Sequence, residues 1–209
     1  LVYIYADYIK NNFFSFPQIY FMYGLLNAYL DFFSLIFFGD NVFSIILLTN
    51  IFFYLALVVF FFYSLKFFKT QNSFLLILVL ICCHPIVIYG WHSYKSFFFI
   101  LVSTILLSNH KPKYILIGGL FLSLYGFLYN INAFVGFFCY LFFLVKLFIY
   151  SNKKNIIYLT LSYLLPIIVF ICLLYFSKNY NNWLNNLQAN FLFGKVTSGG
   201  IVNLIINFL

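Results

Sequence analysis

The stretch VFSIILLTNIFFYLALVVFFFYS, from Val42 to Ser64, runs without a single formal charge. About 20 consecutive apolar residues suffice to carry a helix across the roughly 30 Å hydrocarbon core of a bilayer. This stretch meets that length, and similar runs follow at Phe74 to Gly90, Ala133 to Tyr150 and Ile156 to Phe176. Two shorter runs, Phe97 to Ser108 and Tyr114 to Tyr129, lie among them. Short spans of that kind belong where protein rather than lipid surrounds part of the helix. The breaks between runs carry polar and helix-breaking residues: Lys66 to Ser73, Trp91 to Ser96, Asn109 to Lys113, Asn130 to Asn132 and Ser151 to Asn155. The sequence therefore predicts an all-α fold, a polytopic transmembrane bundle of six to eight membrane helices, short ones included.

Composition agrees. Hydrophobic residues make up 66 % of the 209 and charged residues 7 %, against about 45–50 % and about 25 % in ordinary globular domains. A water-soluble fold cannot cover so much apolar surface with so few charges. Disorder is excluded as well, since its signature of low hydrophobicity and high charge is inverted here. All eleven cations are lysines, and the only acids are Asp7, Asp31 and Asp40. The net charge of +8 is no nucleic-acid footprint, which needs basic residues clustered on one face; these lysines are scattered among the gaps.

Counting lysines on alternate sides orients the chain. One side collects Lys66, Lys69, Lys111, Lys113, Lys146, Lys153 and Lys154, and the other at most Lys10, Lys95, Lys178 and Lys195. The first side is expected to be cytoplasmic. The Trp91 loop and the tail after Phe176 then face outward. The expected organisation is one transmembrane domain over 1–209, itself a piece of a longer protein. Residues 1–41 form an outward loop with a juxtamembrane helix, 42–176 the transmembrane helices, 177–200 an outer loop and 201–209 the start of a further helix.

Gln18 to Phe38 differs from the other runs. Tyr20, Tyr23, Asn27, Asp31 and Ser34 recur at helical spacing and form one polar stripe opposite a Phe/Leu face. Pro17 is placed to start such a helix and Gly39 to stop it. The pattern favours a helix lying in the membrane interface; the alternative is a span with its stripe turned toward protein or water.

The candidates for chemistry are few. An ionisable side chain within a membrane domain is costly and so draws attention. Asp31 reads either as a helix-surface acid reaching headgroups or solvent or as a functional carboxylate. Asp40 reads as the N-cap of the following helix. Asp7 lies three residues before Lys10, where it serves as a surface pair partner or as a general base for an incoming hydroxyl. In the loop Trp91-His92-Ser93-Tyr94-Lys95 the rings are expected to anchor at the interface. A cation beside aromatics also suits a phosphate and a sugar. The histidines His84, His92 and His110 and the cysteines Cys82, Cys83, Cys139 and Cys172 show no metal-ligand spacing, and the cysteines read as small buried hydrophobes. No cofactor is expected, and a divalent metal finds no support in these residues.

The order of these features resembles the N-terminal half of the GT-C superfamily of polyprenyl-phosphate-sugar-dependent glycosyltransferases, over roughly residues 1–150. Phe16-Pro17-Gln-Ile-Tyr-Phe-Met-Tyr-Gly-Leu-Leu-Asn-Ala-Tyr-Leu is similar to the family's proline-led juxtamembrane helix. Phe38-Gly39-Asp-Asn-Val-Phe-Ser is similar to its Phe-Gly turn, and Lys113-Tyr-Ile-Leu-Ile-Gly-Gly-Leu to its basic turn and Gly-Leu helix. The chain has one proline where the family has two, and Ile46 where the family has an arginine. The resemblance implies sugar transfer from a polyprenyl-phosphate donor to a hydroxyl on the outer face of the membrane. Asp7, or an acid upstream of it, would be the catalytic base, and Lys95, with His92, Tyr94 and Asp31, would bind substrate. The partners implied are membrane lipid, a lipid-linked sugar and a glycan, lipid or protein acceptor, in a bacterial plasma membrane or, alternatively, an organelle membrane. An envelope-glycan polymerase and a non-enzymatic subunit of a transporter or an organelle-encoded respiratory complex remain open readings.

Overall fold

A computed structural model describes residues 24–83, 93–150 and 153–176, together with Ala6, Ile9, Lys178, Asn181, Leu184 and Asn185. Among these residues the chain is helical throughout, with no strand. The helices are α1 (Leu25–Phe38), α2 (Val42–Ser64), α3 (Thr70–Cys83), α4 (Ser93–Leu107), α5 (Pro112–Leu128), α6 (Asn130–Tyr150) and α7 (Lys153–Phe176). Three segments are long and apolar enough to cross a membrane: Val42–Ser64, Asn132–Tyr150 and Lys153–Phe176. The chain is a helical membrane protein. Most of each of these three segments faces outward, where lipid takes the place of a protein neighbour. Phe138, Phe142, Phe148 and Ile149 of α6 are examples. Pro166 sits inside α7, a position tolerated in membrane helices because neighbouring groups satisfy the carbonyl it frees.

The helix ends follow local chemistry. Gly39 ends α1 at φ 99°, a conformation that a Cβ disfavours. The cap of α2 is Asn41, one residue beyond the expected Asp40: its Oδ1 accepts from the Ser44 N–H at 3.0 Å. Asparagine and aspartate cap equally well, so the choice rests on which residue the turn after Gly39 leaves in extended geometry, and that residue is Asn41 at φ −153°. α4 begins at Ser93, so Tyr94 and Lys95 belong to a helix rather than to the outer loop expected of them. Asn130 to Asn132, expected as a break between runs, opens α6 instead, and Tyr129 makes the bend.

Short α5 is the hub and packs on α4, α6, α7 and α1. It can reach four neighbours because its contact face is small. A Cβ on Gly119 would lie 2.1 Å from Ser162 Oγ and 3.2 Å from the Leu159 carbonyl oxygen, both on α7. Close approach of this kind through small residues is a recurrent route to helix association in membranes, where apolar surface alone gives no preference for protein over lipid. Around this contact Leu107, Ile115, Leu122, Phe143, Leu147, Leu159 and Tyr163 form the largest buried cluster. The cysteines correct the sequence expectation. Cys82 and Cys172 are exposed on the outer surface and Cys139 is half-buried, because an apolar position in this chain faces lipid as readily as protein.

Polar contacts join the helices at both ends. At one end Asn155 Nδ2 donates to the His110 carbonyl at 2.9 Å, bringing the turn after α4 to the start of α7. Lys111, Lys113, Lys153 and Lys154 lie at this end and are exposed. At the opposite end the Gly24 N–H donates to the Leu128 carbonyl at 3.1 Å, docking the start of α1 on the end of α5. The candidate site lies there.

Candidate functional site

The site begins with the polar stripe of α1. Asn27, Asp31 and Ser34 are separated by four and three residues and therefore share one helix face. All three are at most 1 % exposed. The stripe turns inward to protein, while Phe33, Ile36, Phe37 and Phe38 face outward. Asp31 is thus not a surface acid. On one side of the stripe Ala28, Phe32 and Leu35 pack with Ala6, Ile9 and Ile45. On the other side Leu26 and Leu30 pack against Phe99, Tyr125 and Leu128.

The first turn of α4 meets this stripe. Successive residues on a helix point about 100° apart, and Tyr94, Lys95 and Ser96 use that divergence to reach three different helices. The Tyr94 ring lies 4.7 Å from that of Phe53 on α2. Ser96 Oγ accepts from Asn132 Nδ2 of α6 at 2.8 Å. Between them Lys95 reaches α1, where its Nζ donates to Asn27 Oδ1 at 2.9 Å and forms a salt bridge with Asp31 Oδ1. Neither charged side chain has any solvent exposure. Ser34 Oγ donates to the Asp31 carbonyl at 2.6 Å, which satisfies the hydroxyl within the helix.

The electrostatics follow from burial. Each charge alone would forfeit its hydration, at a cost of several kcal/mol even after relaxation. Together they form a neutral unit whose attraction is strengthened by the low local dielectric, and Asn27 supplies a further acceptor to the ammonium. Lysines were counted at the sequence level as residues of solvated gaps. Lys95 departs from that rule because it carries its own counter-ion into the bundle.

The structure brings two of the five sequence candidates, Asp31 and Lys95, into direct contact. Tyr94 is adjacent but turned to Phe53, and at 3 % exposure it is a packing residue rather than an interfacial anchor. Asp7 and His92 lie outside the described residues, as do Pro17, His84 and Trp91. Asn27 was visible only as a member of the stripe; its spacing from Asp31 was the signal, but nothing in the sequence linked it to a lysine 68 positions away. Among the described residues, no three of His, Cys, Asp and Glu converge as a metal would require. The site thus defines a helical membrane protein with a buried, internally neutralised charge cluster at one end of its bundle. No protein-family model, curated protein or solved structure matches this chain.

Proposed function

We propose that this chain belongs to a membrane glycosyltransferase that moves a sugar from a polyprenyl-phosphate donor to a hydroxyl acceptor on the outer face of a bacterial plasma membrane. The observation that supports this reading is the Asn27–Asp31–Lys95 cluster at the end of the bundle opposite Lys111, Lys113, Lys153 and Lys154. By the orientation rule that end is the outer one. It is where a lipid phosphate would meet the protein and where an ionisable group inside a membrane domain has a reason to be retained. The order of segments around it, a short helix stopped by Gly39 and followed by a long span, adds to the support.

In the proposed reaction Asp7 accepts the proton of the acceptor hydroxyl, whose oxygen attacks the anomeric carbon. The bond from that carbon to the phosphate oxygen breaks, and polyprenyl phosphate leaves with the electron pair. Binding of the phosphate at Lys95 requires its ammonium to exchange Asp31 for the phosphate, since the pair has no solvent exposure in this structure. Transfer of labelled sugar from a polyprenyl-phosphate donor, followed in membranes containing the whole protein, tests the reading. Asp7→Asn is expected to lower the rate by about 10²–10⁴-fold, the range for loss of a general base. Unchanged transfer after Asp7→Asn and after removal of any acid upstream in the same loop would overturn it.

A further inference from the structure

The Asp31–Lys95 pair joins residues 64 positions apart, on two helices too short to cross a bilayer comfortably. α1 has 14 residues and α4 has 15, about 21–23 Å at 1.5 Å per residue, against roughly 30 Å of hydrocarbon. Each carries one charge that lipid does not accept. We propose that the pair is an assembly latch: α1 docks into the bundle only when α4 presents Lys95, and without the pairing α1 stays at the membrane surface.

Three observations carry this. First, the two charges are wholly buried and face each other, so removing either takes from the other its oppositely charged partner, the costly case for a buried ion pair. Second, α1 has a stable place outside the bundle. With Phe33, Ile36, Phe37 and Phe38 on one face and Asn27, Asp31 and Ser34 on the other, it has the two-faced pattern of a helix that rests in the interface. The interfacial position expected from the sequence is thus the undocked state, and the bundle position is the docked one. Third, beside the pair, α1 is attached by apolar packing and by the Gly24–Leu128 hydrogen bond. In a membrane such packing competes with lipid contacts of similar strength, so a polar contact can decide the outcome. The latch also sets register, since Asn27 and Asp31 are one turn apart and Lys95 contacts both. This inference is independent of the glycosyltransferase reading.

The test uses the full chain in membranes, with its four cysteines replaced by serine and Ser34→Cys as the reporter. Ser34 is fully buried, so a charged, membrane-impermeant thiol reagent labels this position slowly in the docked state. Asp31→Lys or Lys95→Asp alone is expected to speed labelling on the order of a hundredfold, reflecting the large penalty of a broken buried pair. The combined reversal, Asp31→Lys with Lys95→Asp, is expected to return labelling to within a few-fold of the starting rate. The proposal is overturned if either single reversal labels at the starting rate, or if the combined reversal labels as fast as the singles. Should the reversed chains fail to accumulate, Asp31→Leu, Lys95→Met and their combination decide the same question. Fast labelling of the singles with slow labelling of the combination supports the latch. A combination as fast as its singles, or singles as slow as the starting chain, overturns it.

Discussion

Lys95 at one end of this bundle and the lysines at the other are treated in opposite ways, and Lys178, just past the end of α7, is exposed like the latter. Lys111, Lys113, Lys153 and Lys154 are exposed around the turn from α4 to α5 and the start of α7. Lys113 lays its ammonium 5.0 Å from the centre of the Tyr114 ring, in the manner of a side chain at a polar boundary. Lys95 lies in the first turn of a helix, as Lys153 does, yet it has no exposure and is bound to Asp31 and Asn27. The residue type is the same; the difference is the acid. Only three acids occur in the chain, and of the described ones Asp31 is set on a polar stripe that faces protein while Asp40 is exposed. A lysine therefore reports topology when it has no carboxylate to follow inward and reports tertiary contact when it has one.

That contrast can be broken most strongly at the buried end. Asp31→Ala or Lys95→Ala is expected to lower stability by about 3–5 kcal/mol, because each leaves a buried charge without its partner; unfolding of the purified protein in detergent micelles, followed by helical circular dichroism, measures it. Gly24→Ala is expected to have an effect comparable to that of Asn27→Ala. Its Cβ would lie 2.2 Å from the Phe127 carbonyl oxygen and 2.7 Å from the Leu128 carbonyl carbon. Since both are backbone atoms, the docking of α1 on α5 must shift, at a cost of about 1–3 kcal/mol in the same unfolding measurement. Asn27→Ala removes one acceptor from a charged donor and is expected to cost about 1.5–3 kcal/mol, less than loss of Asp31. A larger loss for Asn27→Ala than for Asp31→Ala would show that the amide, not the carboxylate, holds Lys95.

The exposed end supplies the smallest effects. Lys113→Ala and Lys153→Ala are each expected to leave stability within about 0.5 kcal/mol, as for exposed surface positions. Their effect belongs to orientation instead. Replacing Lys111, Lys113, Lys153 and Lys154 together is expected to raise the fraction of chains inserted upside down, read by the sidedness of a tag placed in the 108–111 turn. Equal stability losses at Lys95 and Lys153 would erase the distinction between the two ends.

The helices were legible in the sequence to different degrees. α2 was read to the residue, and α6 and α7 to within three, because long apolar runs need no partner to be recognised. α4 was expected to begin at Phe97 and begins at Ser93, since Ser93 to Ser96 reads as polar until Asp31, Asn27 and Asn132 are seen to receive it. The cysteines were misjudged for the converse reason: within a membrane domain, an apolar residue carries no sign of whether lipid or protein lies beside it. The stripe on α1 was visible, but the interface was the favoured setting, and the stripe instead faces protein, because interface and bundle interior both accept a polar face.

The sequence by itself determined that this protein lives in a membrane, that it is helical, and which loops carry the exposed lysines. These follow from run length, composition and charge count, which are properties of the chain read one segment at a time. The tertiary structure alone decided that α5 is the hub, that the α1 stripe faces inward, and that Asp31 belongs to Lys95 rather than to any of the other ten lysines. Pairing across 64 positions depends on how short helices stack. That stacking is settled by close contacts at residues such as Gly24 and Gly119, which no local pattern reveals.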